Sequence, residues 1–303
     1  MEILTVGSVA FDSIKTPFGE RERLVGGSVT YFSLAASYFA PVKLVSVVGD
    51  DFTKREEAVF EGRRIDLLGL ERRTGKTFHW AGEYHYDMNE RTTHATELNV
   101  FADFKPLLPA AYRDGADIVF LANIDPEVQA SVLDQIKHSA VVACDTMNFW
   151  IEHKRPALER ILKRVDMLVI NESEVREIAD EPNILRAGSK ILQMGPKHLV
   201  VKRGEYGVLI LSPGSFFALP AFPVEDVQDP TGAGDTFAGG LFGCLAEKKK
   251  IDEPALRRAA VMGSVMASFC VEAFGPDALL RLSRDDIAER FRAFKRLTHF
   301  ERE

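Results

Sequence analysis

Asp229-Pro230-Thr231-Gly232-Ala233-Gly234-Asp235-Thr236-Phe237-Ala238-Gly239-Gly240 is the most informative stretch of this 303-residue chain. Leu241 to Glu247, which follows it, has helical patterning. A turn of small residues therefore opens directly onto a helix N-terminus. The first N–H groups of a helix lack partners and its dipole makes that end positive, so the turn and helix together form an anion site. Gly232 and Gly234 let the backbone approach a ligand closely. Donors of this kind stabilise the oxygens of a phosphoryl group in transfer. Asp235 stands at the edge of the cradle, where a carboxylate can take the proton of an attacking hydroxyl. Taken without its surroundings, Asp235 is also an ordinary acid at a helix start.

Working outward, short apolar runs predict buried parallel strands at Ile3 to Val6, Lys43 to Val48, Ile118 to Leu121, Val141 to Cys144, Met167 to Ile170 and Leu199 to Val201. Helix-length segments lie between them: Ser28 to Phe39, Pro126 to Lys137 and Glu172 to Ile178. This alternation predicts an α/β fold, a mostly parallel sheet covered by helices on both faces. After about residue 235 the pattern is mostly helical. No repeat or linker divides the chain, so 1–303 is expected to be one domain.

Lys76 to Asp87 breaks the rhythm. Phe78, Trp80, Tyr84 and Tyr86 alternate with Thr77, His79, Glu83 and His85, which predicts a half-buried antiparallel strand. Thr16 to Val25 and Thr92 to Val100 are its candidate partners. A small β lid from parts of 13–26 and 75–101 is expected to project from the main domain. Its aromatic face either packs on itself or covers a flat ligand. His79, His85 and His94 lack a completing acidic or thiol set, so they are read as exposed or substrate-adjacent imidazoles rather than metal ligands.

Composition excludes several classes. Lys plus Arg is 38 against 45 Asp plus Glu, a formal charge of −7, with no basic stripe beyond Lys248 to Lys250. Nucleic acid is therefore not an expected partner. No uncharged apolar stretch approaches bilayer length, and the N-terminus lacks the pattern of a signal peptide. Cys144, Cys244 and Cys270 are scattered in apolar contexts, as reduced thiols of a cytoplasmic protein would be. The G-x-x-x-x-G-K-[ST] loop and the G-x-G-x-x-G fingerprint after the first strand are both missing, which disfavours P-loop and dinucleotide-binding readings.

Asp-x-Thr-Gly-Ala-Gly-Asp-Thr-Phe-x-x-Gly resembles the second signature of the ribokinase (PfkB) kinases. The resemblance implies a ribokinase-like three-layer α/β/α core with a β-sheet lid. It makes Asp235 the catalytic base and Gly232, Ala233 and Gly234 the anion hole. Thr231 joins the ATP-binding set, and Asp229 with Thr231 matches a loop that holds a monovalent cation such as K+. Pro230 departs from the usual Thr there. Asn171-Glu172-Ser173-Glu174 resembles the family's Asn-x-x-Glu motif, which implies that Asn171 serves ATP and Glu174 serves Mg2+ through water. Lys202-Arg203-Gly204-Glu205-Tyr206-Gly207 resembles a strand-end nucleotide turn, so Lys202, Gly204 and Gly207 are implied ATP-binding residues. Gly263 falls where the family borders adenine.

Near the N-terminus, Asp12 matches the residue that binds acceptor hydroxyls, and Gly26-Gly27 matches the lid hinge. Tyr31 stands where an Asn that reads sugars is usual. Asn123 and Asn148 lie in strings that resemble a bacterial subgroup including nucleoside kinases, and they are candidates to line the acceptor pocket, with turn chemistry as the alternative reading. The reading is thus an ATP-dependent kinase acting on the primary hydroxyl of a nucleoside, a purine ribonucleoside such as adenosine. The alternatives are a sugar kinase and a catalytically silent nucleotide sensor. Expected partners are the acceptor and ATP, in a monomer or a homodimer joined through the lid.

Overall fold

The structure is a computed structural model and describes residues 1–299. Its strands are β1 (Ile3–Val6), β2 (Ala10–Thr16), β3 (Gly19–Gly26), β4 (Val42–Val48), β5 (Ile65–Arg72), β6 (Phe78–Tyr84), β7 (Arg91–Glu97), β8 (Ile118–Leu121), β9 (Val141–Cys144), β10 (Met167–Asn171), β11 (His198–Lys202), β12 (Val208–Ser212) and β13 (Ser215–Leu219). Nine form one sheet in the order β13-β12-β11-β10-β9-β8-β1-β4-β5, and β3-β2-β6-β7 form a second. Strands β11 through β5 run parallel, and β12 and β13 extend the edge as an antiparallel hairpin.

Alternation along the central strands divides the core into two layers. Ile3, Ile118 and Phe120 face one side, packed with helices Ser28–Ser37, Ala233–Lys248 and Glu253–Cys270. Leu4, Val6, Val119 and Leu121 face the other, packed with helices Arg155–Leu162, Glu172–Ala179 and Ile184–Met194. Continuous apolar strands are what a sheet buried on both faces requires, so the expected α/β architecture is the one observed. Cys144, Cys244 and Cys270 are buried and free. Among the described residues, no helix is long and apolar enough to cross a membrane.

The sheet order reverses between β1 and β8. In open α/β sheets, ligands bind beyond the carboxyl ends of the strands near such a point. Asp145, Asn171 and Lys202 sit at or just past the ends of three adjacent strands, β9, β10 and β11.

The small sheet departs from expectation in its pairing. β6 pairs antiparallel with β7, as anticipated, but its other neighbour is β2, in parallel. β3 covers the far edge of β2 and does not touch β6. The sheet thus draws on Ala10–Gly26 and Phe78–Glu97. The aromatic alternation is also shorter than expected. A register shift between Ala81 and Gly82 interrupts it, the strand ends at Tyr84, and Tyr86 is 96% exposed.

Candidate active site

The signature stretch adopts the turn-to-helix geometry. Gly232 is the N-cap of helix Ala233–Lys248, with φ 75° and ψ −1°. A Cβ there would lie 2.4 Å from three atoms of the Tyr31 ring, so only glycine fits. Thr236 N donates to Gly232 O at 2.8 Å and closes the first turn. Asp235 lies in that turn. Desolvation pushes its carboxyl up to about 7; Lys202 and Arg91 oppose the rise and Asp145 adds to it.

Four elements converge on this turn. Lys202 Nζ bonds Asp145 Oδ2 at 2.8 Å, and a Cβ on Gly234 would come within 3.2 Å of the same ammonium. Asn171 and Glu174 form a reciprocal cap: Glu174 N donates to Asn171 Oδ1 at 2.9 Å and Asn171 N donates to Glu174 Oε2 at 2.8 Å. Capping does not explain the burial of the Glu174 carboxylate, 8% exposed. Desolvation and Asp145 push it up to about 7 and Lys202 pulls it back. A buried carboxylate of this kind suits a cation beside it, so the residues present fit Mg2+.

Asp12 enters from β2, buried and also pushed up to about 7 by desolvation, with Asp229 and Asp235 adding to the rise. Gly26 makes room for it, since a Cβ there would lie 1.9 Å from Asp12 Oδ2. Gly27, at φ 90°, packs on the Ser8 carbonyl. Tyr31 is buried with an unpartnered hydroxyl, and Asp12, Asp229 and Tyr84 lie near enough to raise its pKa well above the usual value, though desolvation is the main cause. Thr231 Oγ1 donates to the Tyr84 hydroxyl at 3.4 Å, which links the lid to the signature turn. Asp229 accepts from Thr231 N at 2.8 Å and Gly275 N at 2.9 Å, one bond to each oxygen.

The turn that follows β11 meets the tip of the small sheet. Gly204 (φ 55°) and Gly207 (φ 92°) bracket a single helical turn. Asn89, between β6 and β7, donates to Glu205 Oε1 at 3.3 Å.

Three expected residues are not drawn into the cluster. Gly263 is buried where two helices cross, and a Cβ there would come within 2.8 Å of Phe237 O, so close packing accounts for it. Asn148 is exposed at the start of helix Asn148–His153. Asn123 Oδ1 is engaged by Trp150 Nε1 at 3.0 Å. The three lid histidines have separate partners: His79 meets Ser13 and Glu97, His85 meets Thr92, and His94 meets Glu83.

Sequence reasoning missed Arg91 and the pairing of Asp145. Arg91 starts β7, lies over the Trp80 ring at 5.9 Å, and is close enough to Asp235 and Glu174 to favour their ionised forms.

A cluster of carboxylates and one lysine around a glycine-rich helix N-terminus is an arrangement able to stabilise a phosphoryl group in transfer. Residues 21–280 match the pfkB family of carbohydrate kinases. The chain is 30% identical over 259 residues to the cytidine kinase of Thermococcus kodakarensis, covering 84% of this chain and 91% of that one. Among solved structures, the Burkholderia thailandensis nucleoside kinase in complex with inosine has a TM-score of 0.79 at 18% identity, covering 96% and 97% of the two chains. An E. coli protein provisionally called ribokinase II, in complex with ATP and Mg2+, has a TM-score of 0.77 at 20% identity, covering 98% and 99%. The chain belongs to the pfkB family of carbohydrate kinases, which are ATP-dependent phosphotransferases.

Proposed function

We propose that the chain is a nucleoside kinase that transfers the γ-phosphoryl group of ATP to the primary hydroxyl of a ribonucleoside, with the four-stranded sheet as its lid. One observation carries the acceptor class: Asp12 and Trp80 are register partners on neighbouring lid strands. A carboxylate able to accept ribose hydroxyls thus stands beside an indole. That indole lies across Gly82, where a Cβ would meet its ring at 2.3 Å. A free sugar relies mainly on the first group, whereas a nucleobase also has a flat π-face to stack on the second. The cytidine kinase relative and the inosine-bound nucleoside kinase support this reading. The sugar alternative keeps its support from the ribokinase-type neighbour.

The role assigned to each residue follows from its place. The acceptor oxygen attacks the γ-phosphorus, its proton passes to the Asp235 carboxylate, and the bridging P–O bond breaks to release ADP. N–H groups of Gly232, Ala233 and Gly234 face the charge on the transferring group. Asp12 and the Tyr31 hydroxyl hold the sugar end. Lys202, Thr231, Gly204 and Gly207 border ATP. Glu174 and Asn171 would hold Mg2+ through water, and the bound ion would supply neutralisation of phosphate charge. A K+ ion at Asp229 would have to share oxygens that already accept N–H bonds.

On its outer face the lid carries Lys15 paired with Glu83 and Arg23 paired with Asp51. It also borders a cavity of about 440 Å³ whose lining includes Glu20, Glu22, His79 and Glu97. An obligate dimer buries a more apolar surface. This favours a monomer over the lid-joined homodimer.

Comparing kcat/KM for adenosine, cytidine, inosine, ribose and fructose tests the acceptor class. The ribonucleosides are expected to exceed both sugars, adenosine first among them. A free sugar as the best acceptor would overturn the reading and leave the family untouched. If Trp80 stacks on the base, Trp80→Ala should weaken nucleoside affinity by about one to two decades and leave any residual ribose activity unchanged.

Glu174→Gln separates the metal role from the cap, because glutamine also completes a capping box. The expected outcome is a higher Mg2+ requirement and a lower kcat, with the acceptor KM near wild type and the melting temperature at or above it at pH 8. An unchanged Mg2+ titration would reduce Glu174 to a cap.

A further inference from the structure

Beneath the anion cradle lies an ion pair, Lys202–Asp145, of which only the lysine has been given a role so far. Lys202 leaves the end of β11, and Asp145 follows the end of β9. β10 runs between those strands, so the two side chains meet across its end. Their side chains are 18% and 4% exposed. The second Asp145 oxygen accepts from Thr146 N at 2.7 Å, so both oxygens of the carboxylate are engaged. Removing two charges from water is costly, and well-packed apolar residues often serve stability as well or better. The location of the ammonium gives a reason for the pair: Nζ stands against the backbone of Gly234.

We propose that Asp145 is a positioning residue that fixes the Lys202 ammonium against the Gly232–Gly234 turn, so that this one cation serves both the transferring phosphoryl oxygens and the Asp235 carboxylate. The inference rests on the reading of Asp235 as the base. An unanchored lysine is a flexible point charge on a four-carbon stem. Held from behind, it is a preorganised charge that needs no rearrangement during the reaction.

The charged and titratable groups around Asp235 give the proposal a sign. Lys202 from β11 and Arg91 from β7 favour the ionised base, whereas Asp145 opposes it. Asp12 from β2 and Cys270 from helix Glu253–Cys270 also lie within electrostatic reach of Asp235. Glu174 interacts with both members of the pair. Neutralising Lys202 should therefore move the acid limb of activity to higher pH. Neutralising Asp145 removes an opposing charge but also releases the ammonium, so its limb should not fall below the wild-type position. If Asp145 did not hold Lys202 in place, loss of its charge alone would move the limb to lower pH.

The test is the pH profile of kcat/KM for the acceptor at saturating ATP and Mg2+, for wild type, Lys202→Met, Asp145→Asn and the double variant. Lys202→Met is expected to lose about 10²- to 10³-fold in kcat, as for removal of one charge-stabilising donor, with its acid limb shifted upward. Asp145→Asn should lose less in kcat, without a downward shift of its limb, and the double variant should lose no more kcat than Lys202→Met alone. Lys202→Arg keeps the charge and should keep the limb, which guards against a methionine variant that folds poorly. A downward-shifted limb in Asp145→Asn, or an unmoved limb in Lys202→Met, would overturn the inference, whatever the loss in rate. Asp235→Asn, assayed alongside, distinguishes the two possible failures. If it is active, the base assignment has failed. If it is inactive and either overturning limb is seen, only the role of the Asp145–Lys202 pair has failed.

Discussion

Asp235→Asn is expected to lower kcat by about 10²- to 10⁴-fold, the range for loss of a general base, without loss of the fold. Asparagine has nearly the same shape and is tolerated in the first turn of a helix. The stability expectation follows from linkage. Burial raises the Asp235 pKa from 3.8 to about 7. Its contribution to stability is therefore fully present below the unfolded value and is lost as pH rises through the folded value. At pH 8 the wild type carries the whole cost of an ionised, desolvated carboxylate, and asparagine carries none. The variant should melt at or above the wild-type temperature at pH 8, and its advantage should shrink toward pH 4. Thermal melts at the two pH values and a coupled assay for ADP check both halves. A well-folded variant with near-normal kcat would remove Asp235 from the chemistry.

The same tension between function and stability recurs at Asp12 and Glu174, each pushed up to about 7 mainly by desolvation. Three carboxyls with raised pKa values around one helix N-terminus are hard to explain as devices of folding. They are what a cleft built to receive phosphate, metal and hydroxyl groups would contain.

How much of this was legible in the sequence depended on whether the signal was local. The central strands could be read because each is a short apolar run bounded by polar residues, and the helix N-terminus because its glycines are consecutive with it. β5 was missed: Ile65–Arg72 mixes Asp66, Glu71 and Arg72 with its apolar residues, as an edge strand does. The β12–β13 hairpin was not anticipated, although Val208–Ser212 is as apolar a run as the central strands. The lid register could not be read for a different reason. β2 and β6 pair in parallel although more than 60 residues separate Asp12 from its partner Trp80, and no local pattern encodes a crossover of that length.

The site residues divide in the same way. Asp12, Asn171, Glu174, Lys202, Gly232 and Asp235 belong to short strings with recognisable spacing. Arg91 belongs to none; it reaches Asp235 only because the lid folds over the sheet end. The Asp145–Lys202 bond spans 57 residues of chain. Tyr31 was notable in the sequence only as a substitution for asparagine. In the structure its ring is the surface against which the Gly232 turn is moulded.

That contact leads to the second large effect, at Gly232. With φ at 75°, an L-residue there is strained, and a Cβ would overlap the Tyr31 ring at 2.4 Å. Tyr31 is 1% exposed, so its ring cannot move without displacing its neighbours. Gly232→Ala must therefore shift the turn or the helix end, and either movement takes the N–H groups away from the transferring phosphoryl oxygens. The expected cost is about 1–3 kcal/mol of stability from overpacking and about 10²- to 10³-fold in kcat from loss of aligned donors. The two losses can be traced to one clash by combining Gly232→Ala with Tyr31→Ala. If ring and methyl collide, the double variant should be less destabilised than the sum of the single variants, because neighbouring substitutions that share a contact are not additive. Activity should remain low in the double variant, since on the proposed reading Tyr31 would also hold the sugar end of the acceptor. Strictly additive melting shifts would show that the ring does not shape the turn, and a Gly232→Ala enzyme within tenfold of wild-type kcat would show that the turn is not the anion hole.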